Sequence, residues 1–307
     1  MAFHFEPGEH VPEAVRRIFC EELEHAAGQL SRGRGAPLDE AIHEARKSLK
    51  KARAVLRLLR PELESTYRAE NGKLRGIARR LSNFRDAGVM VETLDSLVED
   101  CRQELGANIF AAVRRALARR KRETERQAGL AALLTKLGAS LRAAARRAQA
   151  WPVQADGFAA LAPGFEKTFR QGRKALAETR RRPRPENYHA WRKRVKDHWY
   201  HVRLLGSDAG AWMESYEQDL KKLETSLGEG QNLTLLRGLI LAEPGSYGTP
   251  ANVALLAALI ARRRKTLRDK ALALGGRIYG RNTRVLLRRA SRGWNAMQAA
   301  AAHTHAA

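Results

Sequence analysis

The chain has 307 residues, 44% of them hydrophobic, and its 57 Lys+Arg against 33 Asp+Glu give a net charge of +24. That length allows two domains of ordinary size with buried cores, and the apolar content excludes a disordered basic tail. No uncharged apolar run approaches the ~18–20 residues that a membrane span needs, since the longest, "VALLAALIA" at 253–261, runs into "RRRK".

Charge is therefore the outlier, with a pI near 10.9. Self-repulsion of this size points to a polyanionic partner: nucleic acid, an anionic membrane surface or inorganic polyphosphate. Arg outnumbers Lys, and its rigid fork suits bidentate contact with phosphate. Cys20 and Cys101 form neither a C-x-x-C pair nor a zinc spacing, so a reduced, cytoplasmic setting is expected. "MAFHFEPGEH" lacks a basic region followed by an apolar one, and no signal peptide is expected.

Leu, Ala, Arg, Glu and Lys dominate while β-branched residues are sparse, which predicts an all-α chain. In chain order, a first helix closes at "SRGRGAP" (31–37). A second is broken or kinked at "RPE" (60–62). "WPVQADGFAALAPG" (151–164) contains a linker, and "RRPRPEN" (181–187) and "LAEPGSYGTPAN" (241–252) are loops.

A shift of 146 residues aligns "HEARKSLKKARAVLRLL" (43–59) with "HAWRKRVKDHWYHVRLL" (189–205), with seven identities in 17. The same offset sets Pro37 on Pro183, Glu40 on Glu186, and Leu74, Ile77 and Leu81 on Leu220, Leu223 and Leu227. The chain thus reads as a duplicated helical unit: residues 10–150, a linker at 151–162, and residues 163–296. Short loops between helices make each half a four-helix bundle, and a pseudo-two-fold axis relates the two.

On a helix wheel with His43 at the origin, Arg46, Lys47, Lys50, Ala54 and Arg57 fall within about 60° of it. The second copy puts His189, Arg192, Lys193, Lys196, Tyr200 and Arg203 on one face and Trp191, Val195, Val202 and Leu205 on the other. Like charges three and four residues apart destabilise a helix. Ordinary solvated faces relieve this with interspersed Glu, and neither ridge carries one. Two such ridges, facing one another across a groove or pore, predict an anion site.

His43-x-x-Arg46-Lys47-x-x-Lys50 and its repeat His189-x-x-Arg192-Lys193-x-x-Lys196 resemble the signature of CHAD proteins, the conserved histidine α-helical domain. "LSNFRDAGVMVETL" (81–94) is similar to the family's second element, and "LGEGQNLTLL" (227–236) to a weaker copy of it. The resemblance spans residues from about 10 to about 295. It implies two four-helix bundles related by pseudo-two-fold symmetry around a basic central channel that binds inorganic polyphosphate, with phosphate or sulfate ions as mimics. Gln231-Asn232 in place of Arg-Asp, and Trp199-Tyr200 in place of Arg53-Ala54, depart from the pattern.

Polyphosphate offers charge without base edges to read, so rows of Arg and Lys meet it without sequence specificity. The expected contacts are Arg46, Lys47, Lys50, Arg57, Arg192, Lys193, Lys196 and Arg203, with Tyr200 lining the site and Arg53, Arg79, Arg85 and Lys221 as secondary members. Arg119, Arg120, Arg262 and Arg263 fit either the channel or the outer surface. His43 and His189 fit two roles, contact with a phosphate oxygen or a structural hydrogen bond.

No metal site or cofactor is expected, because the His198/His201 pair has no third ligand nearby in sequence. The Glu-x-Glu runs at 21–25, 61–65 and 123–127 lack a following Lys in phase and lie in helical context. They are therefore unlike the Glu-x-Glu-x-Lys strand of the triphosphate tunnel metalloenzymes to which CHAD domains can be joined. No phosphate-binding loop, nucleophile triad or carboxylate cluster is recognisable, so a non-enzyme is expected. The expected protein is a monomeric polyphosphate binder, placed in the cytoplasm or on polyphosphate granules. The alternative is a sequence-nonspecific nucleic-acid-binding protein.

Overall fold

A computed structural model describes residues 3–32, 38–101, 109–126, 129–206 and 210–304. Among these residues the fold is all-α. The first part of the chain forms α1 (Val11–Arg32), α2 (Leu38–Leu58), α3 (Arg60–Arg80), α4 (Ser82–Asp100), α5 (Ala111–Glu125) and α6 (Leu130–Ala148). The remainder forms α7 (Gly157–Arg181), α8 (Pro185–Leu204), α9 (Ala211–Ala242), α10 (Pro250–Tyr279) and α11 (Thr283–Thr304). No helix among the described residues is long and apolar enough to cross a membrane.

Local chemistry explains the boundaries. Pro61 sits in the first turn of α3, so the chain breaks at Leu59, and Glu64 (φ 37°) adds a non-helical residue just beyond. Pro185 and Pro250 open α8 and α10, where a missing backbone N–H costs nothing. Thr249 caps α10 by accepting from the Asn252 N–H at 3.3 Å. Gly206 (φ 85°) ends α8 in a conformation that only glycine adopts cheaply. Part of the expected linker is helical: residues 151–156 are non-helical, but 157–162 are the first turns of α7. Asp156 caps that helix and also accepts from the Val11 N–H at 2.7 Å.

Two hydrophobic cores result, and both draw on segments on either side of residues 151–162. The larger joins α1, α2, α3, α6, α7, α8 and α11 with the first half of α9 and the end of α10, around Phe19, Leu49, Phe165, Phe169, Trp191 and Tyr216. The smaller joins α4 and α5 to the second half of α9 and the first half of α10, around Leu94, Phe110, Leu236 and Leu256.

The seam that matters for function lies where α2 meets α8. His201 is fully buried there and donates from Nε2 to the Ala54 carbonyl of α2 at 2.9 Å. Desolvation lowers its pKa to about 3, and that of His198, ringed by Phe165, Phe169, Tyr216 and Tyr279, to about 3. The pair is neutral core packing.

Helix α7 crosses the end of α2 so closely that a Cβ on Gly164 would collide with the Leu58 carbonyl group. Backbone cannot yield as a side-chain tip can. Gly164→Ala is therefore expected to destabilise the fold by about 1–3 kcal/mol, read as a lowered midpoint of denaturant unfolding.

Candidate anion-binding cleft

Helices α2, α3 and α8 enclose a cleft of about 620 Å³. From α2 come Arg46, Lys50, Arg53 and Arg57, with Ala45, Leu49, Ala52 and Leu56 turned to the core. From α8 come His189, Arg192, Lys193, Arg194, Lys196, Asp197 and Tyr200. Tyr67, Asn71, Arg75 and Arg79 of α3, each four residues after the last, form the third wall. Ten Arg and Lys side chains thus line the cleft against one carboxylate, Asp197.

Hydrogen bonds hold several of these cations in place. Arg57 donates to its own helix at the Arg53 carbonyl (3.0 Å) and pairs with Asp197 at 3.1 Å. Arg53 donates from Nε to Asn71 Oδ1 at 3.0 Å, tying α2 to α3. Arg194 donates to Gln171 Oε1 at 2.8 Å.

Behind the α8 wall stands Glu224 of α9, 5% exposed. It accepts from Lys196 at 2.8 Å and from Arg192 at 3.3 Å, with Lys221 at 3.9 Å. Gly228, one turn along α9, leaves the room that the Arg192 guanidinium occupies. That accounts for the first glycine of the "LGEGQ" element.

One carboxylate behind the wall and one on it leave the positive charge largely unanswered. Lys50 shows it most: burial, with Lys196, Arg46 and Arg192 close by and Glu224 only partly offsetting them, pushes its ammonium down to about 7. Burial and Arg57 lower Arg53 to about 10. Lys196 is lowered by burial even though Glu224 supports its charge. Lys193 is lowered by burial and by Arg194, Arg75 and Arg53. His189 is lowered by burial, Lys193 and Arg192, and among the described residues its buried Nδ1 has no hydrogen-bond partner. Burial by itself would raise the Glu224 carboxyl, but Lys196 and Arg192 outweigh it and hold the group below the usual range.

The ridges expected from sequence therefore meet, though not in full. Arg46, Lys50, Arg53, Arg57, Arg79, His189, Arg192, Lys193, Lys196 and Tyr200 are brought together. His43 and Lys47 are not: both are exposed beside Glu44, at 3.9 and 3.1 Å, because the cleft takes the side of α2 that carries Arg46, Lys50, Arg53 and Arg57, and these two stand round the helix from it. Arg203 lies over the Trp199 and Phe3 rings and 3.5 Å from Glu217, and Lys221 lies over Trp199 at 4.5 Å. The side chain of Arg85 lies outside the described residues.

Arg119, Arg120, Arg262 and Arg263 do not line the cleft, and Arg263 pairs with Asp100 at 3.1 Å. Sequence reasoning missed Arg75, Arg194, Tyr67 and Asn71. The step of four from Tyr67 to Arg79 was a readable signal, whereas Arg194 stands one position off its ridge. It also read the ridges as lacking acids, and Asp197 on the α8 wall and Glu224 behind it on α9 correct this.

Glu224→Gln is expected to cost about 3 kcal/mol, because Arg192 and Lys196 then lose their carboxylate in a buried setting. A lowered carboxyl stabilises the fold above its unfolded pKa, and this contribution fades as pH falls through the folded value. The variant's deficit in melting temperature against wild type should accordingly shrink in acid, and added polyanion should narrow it at neutral pH.

The solved structures that match include two of nearly full length. The CHAD domain from the plant Ricinus communis has a TM-score of 0.60 at 16% identity, covering 92% of this chain and 96% of that one. PptA from Streptomyces chartreusis has a TM-score of 0.60 at 15% identity, covering 87% and 99%. At these identities the matches show the fold. No curated protein sequence matches. The family model of the CHAD domain matches residues 17–241, most of the chain and all three walls of the cleft, and the chain belongs to the CHAD domain family.

Proposed function

We propose that this protein binds inorganic polyphosphate, without cleaving it, in a basic central channel formed by the cleft. The observation that carries the reading is the charge count: ten cations against one carboxylate, on three rigid helices, around a space of about 620 Å³. So many unanswered charges raise the energy of the empty site, and a chain bearing about one negative charge per phosphate relieves it while releasing its counterions. Lys50 and Lys196 are recessed. A single phosphate strand reaches them, whereas a duplex, which presents its phosphates on a wide convex surface, does not.

Single-stranded nucleic acid is the second reading. Such sites combine a basic groove with aromatic platforms on which successive bases stack. Here Tyr67 and Tyr200 are the aromatic side chains on the cleft, and Tyr200 is buried beneath Trp199. That composition favours a ligand without bases.

Non-catalytic binding follows from the same side chains. Phosphoryl transfer relies on acids that hold metal ions against the developing charge, and Asp197 and Glu224 are engaged by Arg57, Lys196 and Arg192. The helix order supports an architecture of two four-helix bundles about a pseudo-two-fold axis. In it, α1, α2, α3–α4 and α5–α6 correspond to α7, α8, α9 and α10, with residues 10–150 and 163–296 as the halves. Such internal symmetry leaves no need for a second copy, and the protein acts as a monomer, carried to polyphosphate granules by its ligand.

The test is a titration of long-chain polyphosphate, duplex DNA and single-stranded RNA at one salt concentration, ~150 mM, because all three polyanions show steep salt dependence. Preference for polyphosphate is expected. Equal or tighter binding of RNA would overturn the reading in favour of nucleic acid, and phosphate release with added Mg²⁺ or Mn²⁺ would overturn the non-catalytic part.

A further inference from the structure

Three lysines lie within one turn and a half of α2, and their amines are treated differently. Lys47 is exposed and paired with Glu44 at 3.1 Å, and Lys51 is paired with the buried Glu22 at 2.6 Å. Lys50 opens on the cleft between Arg46, Arg192 and Lys196, and among the described residues no carboxylate or carbonyl accepts a hydrogen bond from it. Beside it the buried Nε of Arg192 also lacks a partner. An amine that sheds its proton near neutrality is a nucleophile, and cations that hold phosphate deliver phosphate-bearing electrophiles to it.

We propose that Lys50 is a covalent modification site, acylated on its ε-amine by acyl phosphates that the surrounding cations bind through their phosphate group. The amine lone pair attacks the acyl carbon, a C–N bond forms, and the C–O bond to phosphate breaks with the electron pair leaving on inorganic phosphate. One amine proton passes to that phosphate, so an acyl phosphate and an amine become an amide and hydrogen phosphate. Acylation removes one cation from the centre of the cleft and weakens its hold on polyanions. The proposal rests on the anion-binding reading, because the electrophile is recruited by its phosphate.

The neutral fraction of Lys50 near pH 7.5 greatly exceeds that of an ordinary lysine, although lower basicity also lowers nucleophilicity. Incubating the full chain with acetyl phosphate and following each lysine by peptide mass spectrometry is expected to show Lys50 labelled at least about 10-fold faster than Lys47 or Lys51. The rate should saturate with reagent and fall in Arg192→Gln, with Arg46→Gln as a second variant if the first unfolds, while N-hydroxysuccinimide acetate, which carries no phosphate, keeps only the share of the preference that the lowered ammonium supplies and shows no saturation. Labelling of Lys50 no faster than Lys47, or with no saturation, overturns the proposal. A polyphosphate titration of the unmodified protein separates the two readings. Selective labelling that polyphosphate fails to suppress supports the modification site and counts against polyphosphate as ligand, whereas tight polyphosphate binding with unselective labelling sinks the modification site alone.

Discussion

Substituting Lys50 by Met is expected to weaken polyphosphate binding by about 10- to 100-fold at ~150 mM salt, with helicity unchanged. Met keeps the aliphatic volume that packs beside Leu49 and removes only the charge. The free fold should gain, since burial and three neighbouring cations oppose that charge when no anion is present. Loss of affinity together with unchanged or raised stability is the signature of a group kept for ligand rather than for packing. Lys47→Met supplies the control: exposed, paired with Glu44 and off the cleft, it should change affinity by less than about 2-fold. The slope of log affinity against log salt should drop by about one for Lys50→Met and stay unchanged for Lys47→Met. Titration by fluorescence anisotropy at three salt concentrations checks all of this, and equal effects at the two positions would remove Lys50 from the site.

The second large effect is on pH. Lys50 releases its proton near pH 7 in the free protein, and a bound polyanion draws the proton back. Above that pH, binding takes up as much as one proton, so affinity is expected to fall by up to about 10-fold per pH unit between pH 7 and 8.5. The charged groups nearest this amine are Arg46, Arg192, Lys196 and Glu224. Lys196 is lowered by burial as well, so any proton it takes up on binding leaves the sign unchanged. Lys50→Arg should flatten the profile, because a guanidinium stays protonated.

Stability of the free protein moves the opposite way. In the unfolded chain Lys50 keeps its proton up to about its ordinary 10.5, while the folded state sheds it near 7, so the fold grows more stable with rising pH across that window. Below it the full cost of the buried charge is present. Isothermal titration in buffers of different ionisation enthalpy measures the proton uptake directly. An uptake of zero at pH 8 would show that Lys50 does not meet the ligand.

Much of the fold was legible in the sequence. The breaks at Pro61, at residues 182–184 and before Pro250 follow from proline and loop chemistry, which acts over a few residues whatever the rest of the chain does. Helices α2 and α8 announced themselves through apolar spacing, and their cation ridges through repetition. The start of α7 was harder. "DGFAALAPG" carries two glycines and a proline, yet Asp156 caps it and Phe165 and Phe169 bury it, so packing overrides propensity.

What the sequence by itself determined is the all-helical fold and the phase of each ridge, with the net charge setting the expectation of a polyanionic partner, because periodicity and net charge are properties of short segments and of composition. Only the tertiary structure decided which cations share a cavity. The way α3 lies against α2 admits Arg75 and Arg79, the turn of α2 about its axis leaves His43 and Lys47 off the cleft, and the docking of α9 behind α8 sets Glu224 under Lys196. The depressed ammonium of Lys50 arises from its burial among charges on α2, α8 and α9. Desolvation and Coulomb forces depend on distances between helices, and those are set by side-chain packing across the whole core rather than by any one stretch of chain.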